Sequence, residues 1–188
     1  METKLSFNPL DRQPETLDYA SPSQFRFSLM KIPAVEYFTT QANVPGISFT
    51  GDATMNTRYK SIHFMGDTLD FSDLELTFLV SETLQNYREI HDWMIGIGFP
   101  KDNKQFINAI NREDTKPKTK KLVDPSVLTS DATLTILSKK NNPILRVNFR
   151  NCYPTQLSGL NYNAQNTDTE QLTATVTFKY DLYEFEVL

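Results

Sequence analysis

From Leu172 to Leu182 apolar and polar residues alternate without a slip. Leu172, Ala174, Val176, Phe178, Tyr180 and Leu182 fall on one side; Thr173, Thr175, Thr177, Lys179 and Asp181 fall on the other. Successive side chains of a strand point to opposite faces, so this period predicts one half-buried strand over 171–184, roughly 45 Å long at about 3.4 Å per residue. Ordinary strands run about 5–6 residues, so such a length asks for more cover than one small core offers. The same period predicts strands over Gln24–Lys31, Val35–Val44, Asn56–Phe64, Leu74–Val80, Asp131–Lys139 and Ile144–Asn151. Pro45-Gly46 and Gly66-Asp67 carry turn signals, Lys140 to Pro143 joins two strands as a hairpin, and Tyr153-Pro154 predicts a break.

Between Ser81 and Pro100 the period changes. Leu84, Tyr87, His91, Met94 and Ile95 recur at helical spacing, Ser81 suits an N-cap, and Gly96, Gly98 and Pro100 suit a stop, which predicts a helix over Thr83–Ile95. Residues 101–127 show no period and are rich in bases: Lys101, Lys104, Arg112, Lys116, Lys118, Lys120 and Lys121. A stretch of that length without secondary structure is either functional or disordered. Met1 to Pro22, with three prolines and no apolar period, reads as an N-terminal arm. Seven strands and one helix make an α+β protein dominated by antiparallel sheet, with one domain over 23–188 that carries the basic loop as an insertion.

Composition narrows the function. The chain has 188 residues and a net charge of −4, so no global basic field recruits nucleic acid. One cysteine, Cys152, excludes an internal disulfide. No apolar run approaches the 18 or so residues needed to span a bilayer, and the acids near the N-terminus do not fit a signal peptide. A soluble intracellular product, or one that leaves the cell by another route, is expected. The histidines, His63 and His91, stand on different predicted elements without metal-ligand spacing. Asp67, Asp70, Asp73 and Glu75 lack the glycine and terminal glutamate of a calcium loop and read as a solvated turn. Gly96 and Gly98 end a helix instead of opening one, so no phosphate loop is present. The sequence predicts no catalytic, cofactor or metal site, and no enzyme.

The order of elements resembles the tail tube protein family of contractile-tailed bacteriophages. Three parts carry the resemblance: the strand around Arg58 to Lys60 with its Gly66-Asp67 turn and Asp70-Phe71 approach to the next strand, the helix with Asp92-Trp93, and Tyr153-Pro154-Thr155 followed by the long terminal strand. It extends over Pro22 to Phe185. It implies a β-sandwich or barrel with one flanking helix and long hairpins, assembled as homo-hexameric rings that stack into a tube. Each subunit would lend four strands to an inner barrel, and twenty-four strands about 4.8 Å apart and tilted by about 40° close at a diameter near 48 Å. The bore would admit duplex DNA, which passes without specific binding during ejection; retained cations would hold it back.

The resemblance further implies sheath and baseplate partners, no cofactor, and a place in the virion tail after assembly in the host cytoplasm. On that frame the seven bases of 101–127 are expected to touch an adjacent ring or the sheath. Arg146, Asn148 and Arg150, on one face of the hairpin's second strand, are expected to meet a neighbouring subunit and be paired with acids. Thr39, Gln41, Thr133 and Thr135 are candidates for the lumen. Two other readings stand beside it: a baseplate ring of the same fold that initiates the tube, and a monomeric β-rich binding module, which would need an aromatic platform that the single Trp93 does not supply.

Overall fold

The computed structural model describes residues 18–111, 128–163 and 171–188. Along them run β1 (Phe25–Leu29), α1 (Pro33–Phe38), β2 (Thr39–Ala42), β3 (Ile47–Thr50), β4 (Ala53–Asn56), β5 (Ser61–Phe64), β6 (Thr68–Phe71), β7 (Leu74–Leu79), α2 (Gln85–Gly98), α3 (Asn103–Asn111), β8 (Ser130–Leu137), β9 (Pro143–Leu157), β10 (Thr173–Lys179) and β11 (Leu182–Val187). The first 17 residues of the predicted arm and residues 112–127 of the basic segment lie outside the described residues.

Seven strands make the body, all pairing antiparallel in the order β1-β8-β9-β10-β7-β2, with β11 also on β9. Strand β9 sets the architecture. One side of it pairs with β8 as far as Cys152; the other pairs with β11 from Leu145 to Arg150 and then with β10 from Tyr153 to Leu157. The sheet is thereby folded over into two limbs, sandwich-like and not closed into a barrel. Phe27, Leu29, Leu134, Val147 and Phe149 face inward from the first limb, β1-β8-β9-β11. Leu74, Leu76, Phe78, Ala174, Val176 and Phe178 face inward from the second, β2-β7-β10 with the end of β9, and the two sets share one core. Each fully buried Phe or Leu there stabilises the fold by about 2 kcal/mol.

The long terminal strand is therefore two strands on one continuous ladder. Register is unchanged from Phe178↔Pro154 through Leu182↔Arg150 to Val187↔Leu145. Both strands take up one extra residue at the corner: inward positions step from Phe149 to Cys152 on β9 and from Phe178 to Tyr183 beyond β10. Asn151 occupies the left-handed region (φ 55) there, which Asn tolerates better than most residues, and its amide donates to Asp181 Oδ2 at 2.6 Å. Leu182, expected inward, is consequently exposed, and Tyr183 turns in and donates its hydroxyl to the Pro45 carbonyl. The break expected at Tyr153-Pro154 does not occur. Past Cys152, β9 has a neighbour on one side only, and a proline lacking its N–H fits such a position.

Helices also depart from expectation. Residues 33–38 form α1, which takes in Val35 to Phe38 of the strand expected over Val35–Val44 and has Pro33 in its first turn, where the missing N–H has no helical partner to lose. Residues 103–111, read as aperiodic, form α3, which packs on α2. Helix α2 starts later and ends later than predicted. Ser81 Oγ does accept from Gln85 N at 3.1 Å, but Asn86 organises the start: its Oδ1 accepts from Ser81 N and Tyr87 N while its Nδ2 donates to Leu79 O. The buried row is Asn86, Ile90, Trp93 and Gly96, not the row through His91. Trp93 packs on Phe178 in the core, donates Nε1–H to Leu128 O at 2.8 Å and carries Lys31 Nζ over its ring.

Candidate assembly interface

Residues 47–71, within which the sequence predicts one strand over Asn56–Phe64 and a turn at Gly66-Asp67, are a hairpin arm standing off the body. Strand β3 pairs with β6 and β4 with β5, and the register steps by one residue at a joint where Gly51 has φ 83. Gly66 is buried at this joint, and a Cβ there would collide with the Thr50 carbonyl oxygen, so only glycine lets the two strands approach. Thr57 closes the tip: its Oγ1 donates to Lys60 O at 2.6 Å and its N–H to the same oxygen at 3.0 Å. Thr57 to Lys60 are therefore a turn, where the sequence predicted the start of a strand over Asn56–Phe64.

Each half of the arm is amphipathic. Cross-strand partners Ile47↔Phe71, Phe49↔Leu69, Ala53↔Phe64 and Met55↔Ile62 are apolar; Ser48↔Asp70, Thr50↔Thr68, Thr54↔His63 and Asn56↔Ser61 are polar. Phe71 alone of the apolar set is tucked in, edge-on to Tyr180 and Tyr183, and Tyr180 donates its hydroxyl to Ser72 O. This aromatic anchor joins the arm's apolar side to Tyr183 and Phe185 of β11. The remaining apolar residues stay in the open.

The second feature is a charged face on the first limb. Outward rows run Arg26–Thr135–Arg146–Glu186 and Ser28–Thr133–Asn148–Glu184 across β1, β8, β9 and β11. Arg146 pairs with Glu186 at 3.1 Å, Arg150 with Glu184 at 2.8 Å, and Asn148 Nδ2 donates to Glu186 at 3.1 Å. The Asn148 amide and the Arg146 cation hold the Glu186 carboxyl below its ordinary value. The acids expected opposite Arg146, Asn148 and Arg150 thus come from the same chain. Among the described residues, β1 pairs with β8 and β11 with β9, each on one side, as edge strands of the first limb.

The other predicted residues scatter. Thr133 and Thr135 lie on the charged face, whereas Gln41 lies on the outer side of the second limb, across from Thr77, and Thr39 donates its hydroxyl to Val35 O. Lys101 and Lys104 are exposed around the start of α3; Arg112, Lys116, Lys118, Lys120 and Lys121 lie outside the described residues. His63 bonds Thr54 on the arm's polar side, and His91 approaches Asp92 to 3.5 Å at the surface although the two are adjacent on the helix. Burial, with Asp131 nearby, pushes the Cys152 thiol up to about 12, far from a reactive thiolate. Among the described residues no three His, Cys, Asp or Glu side chains converge as a metal site.

Among the described residues, the fold combines a bent antiparallel sheet, a face of paired charges and an exposed apolar arm. A family model for the phage tail tube protein matches residues 5–186, and the chain belongs to that family. No curated protein sequence matches it. Among solved structures, a chain of the sheath–tube complex of an extracellular contractile injection system in its extended state is similar, with 14% identity, 90% of this chain and 93% of that chain covered, and a TM-score of 0.53. The cap that terminates the anti-feeding prophage tube gives 12% identity, coverage of 97% and 100%, and a TM-score of 0.56. The baseplate of the same particle gives 8% identity, coverage of 92% and 98%, and a TM-score of 0.55. At these identities the likeness is one of fold. A tail tube component belongs to the tail of a virion or similar particle.

Proposed function

We propose that this chain is the repeating subunit of a tail tube, closing side by side into six-fold rings that stack around a channel for DNA. The carrying observation is the family match over nearly the whole chain together with the edge strands of the first limb. Strands β1 and β11 run in opposite directions, so β11 of one copy meets β1 of the next as an antiparallel pair. In the row that contains Arg26 and Glu186, this seam brings a carboxylate of one copy toward a guanidinium of the next. Arg146, Asn148 and Arg150 then lie one strand in from the seam, which is the sense in which they serve the subunit contact.

The channel face is then the outward side of the first limb, where Thr133 and Thr135 and the Arg146–Glu186 and Arg150–Glu184 pairs present little net charge to a passing phosphate backbone. Lys101 and Lys104, with the further bases of 112–127, are available to a neighbouring ring or a sheath. Sheath and baseplate partners and assembly in a host cytoplasm complete the reading; no step needs catalysis.

Negative-stain electron microscopy of the purified chain at rising concentration tests it. Hollow tubes or stacked six-fold rings are the expected result. Isolated rings would move the assignment to a baseplate initiator or a cap, whose solved relatives share the fold. A chain that stays monomeric at millimolar concentration would shift it to a β-rich binding module.

A further inference from the structure

We propose that Tyr180 and Tyr183 are positioning residues for assembly: together they clamp the root of the hairpin arm and set the direction in which it leaves the body. This rests on the stacked-ring reading above. The arm departs through two short legs, Pro45-Gly46 before β3 and Ser72-Asp73 after β6. Among the described residues its strands pair only with each other, β3 with β6 and β4 with β5. At the body end Asn43 binds across, its Oδ1 accepting from Glu75 N at 2.7 Å and its Nδ2 donating to Asp73 O at 3.1 Å. Above it a backbone bond from Ser72 N to Gly46 O, 3.0 Å long, joins leg to leg. A two-stranded ribbon is marginal by itself, and bonds between its own legs do not fix its angle to the body.

Two hydroxyls supply that restraint, one to each leg. Tyr183 donates to Pro45 O at 3.1 Å and Tyr180 to Ser72 O at 2.8 Å. Both tyrosines belong to the run that turns the corner from β10 into β11, and both rings lean on Phe149, which is wholly buried. Phe71, the last residue of β6, stands edge-on to both rings, with centroids 6.2 and 5.5 Å away. Burial, with Tyr183 and Asp73 beside it, raises the Tyr180 hydroxyl above its ordinary value, so it stays a proton donor. Phenylalanine at both positions would satisfy the packing; a hydroxyl adds a directional bond. The arm is thereby referenced to the corner that joins the two limbs. Such an arm serves a regular assembly when every copy presents it at one angle, because an element already ordered loses less entropy on docking.

The double substitution Tyr180→Phe with Tyr183→Phe in the full chain removes both hydroxyls and keeps the rings. Amide hydrogen exchange, read below the assembly concentration, should quicken about tenfold over residues 45–72 and stay at the parent rate in β7 and β10. The concentration at which rings and tubes appear in negative stain should rise at least about fivefold. Arm exchange at the parent rate would overturn the clamp. Faster arm exchange with an unchanged assembly concentration would overturn the positioning role, and exchange quickened equally through the body would assign the hydroxyls to the fold at large and overturn both. Tyr183→Phe alone, a milder change, should confine a smaller rise to the same residues; equal rises in arm and body would again overturn the clamp. A parent chain that forms neither ring nor tube would overturn the tube reading and the positioning role with it, whereas the exchange contrast reads the clamp by itself.

Discussion

The body and the arm are written in the same period-two pattern and come to opposite ends. On β7 and β10, Leu74, Leu76, Phe78, Val176 and Phe178 are wholly buried because a second limb of the same chain faces them. On β3 to β6 the alternation is as regular, yet its apolar side has no covering layer beyond the anchor at Phe71. Alternation therefore specifies a strand and its two faces; whether the apolar one is covered by its own chain or by another is a separate fact, decided by where the strand projects.

Substitutions can break that contrast at graded depth. Val176→Arg buries an unpaired charge at a fully buried site and should cost about 4 kcal/mol or more, leaving little folded protein in a urea titration. A parent-like midpoint would mean that the two limbs do not share one core. Asn151→Ala keeps the strands but removes both the side chain that tolerates the left-handed corner and its bond to Asp181, an expected loss of about 1–2 kcal/mol in thermal or chemical unfolding. Met55→Glu with Phe64→Glu on the exposed side of the arm should leave the same unfolding curve unmoved, which is the sharpest form of the comparison.

The smallest effect is expected at the charged face. Glu186 is held below its ordinary value in the fold, so the contribution of its pairing is complete above the unfolded carboxylate pKa of about 4.3 and is lost as pH falls through the lowered folded value. Glu186→Gln should melt slightly below the parent at pH 7, and the gap should close as both are brought to acid. A gap that persists in acid would mean that packing, not charge, links β11 to β9.

Much of the body was legible in the sequence because its signals are local. Phe25, Phe27 and Leu29, the Leu74-to-Phe78 run, the Thr-rich face of β10 and the existence of α2 all rest on periodicity. The misses share a cause: a tertiary neighbour or a side-chain bond outweighed the local pattern. Pro154 continues a strand because only one side of β9 is paired there. Leu182 turns outward because the corner inserts a residue in both strands. The tip of the arm holds no Gly, Pro or Asn-Gly, and Thr57 makes the turn through its hydroxyl. Pro33 is a helix-start signal that the fold follows, although the β-formers after it favour a strand. The arm's exposure left no mark at all, since a covered and an uncovered apolar face have the same sequence.

The corner at Asn151 and Asp181 also has a mechanical side. The ladder between β9 and the β10–β11 run keeps one register from Pro154 to Leu145 while it passes from one limb to the other. A thrust along β9 is resisted by this whole row of hydrogen bonds in shear, all loaded together, instead of by a seam that could peel open bond by bond. The two limbs carry load as one bent beam.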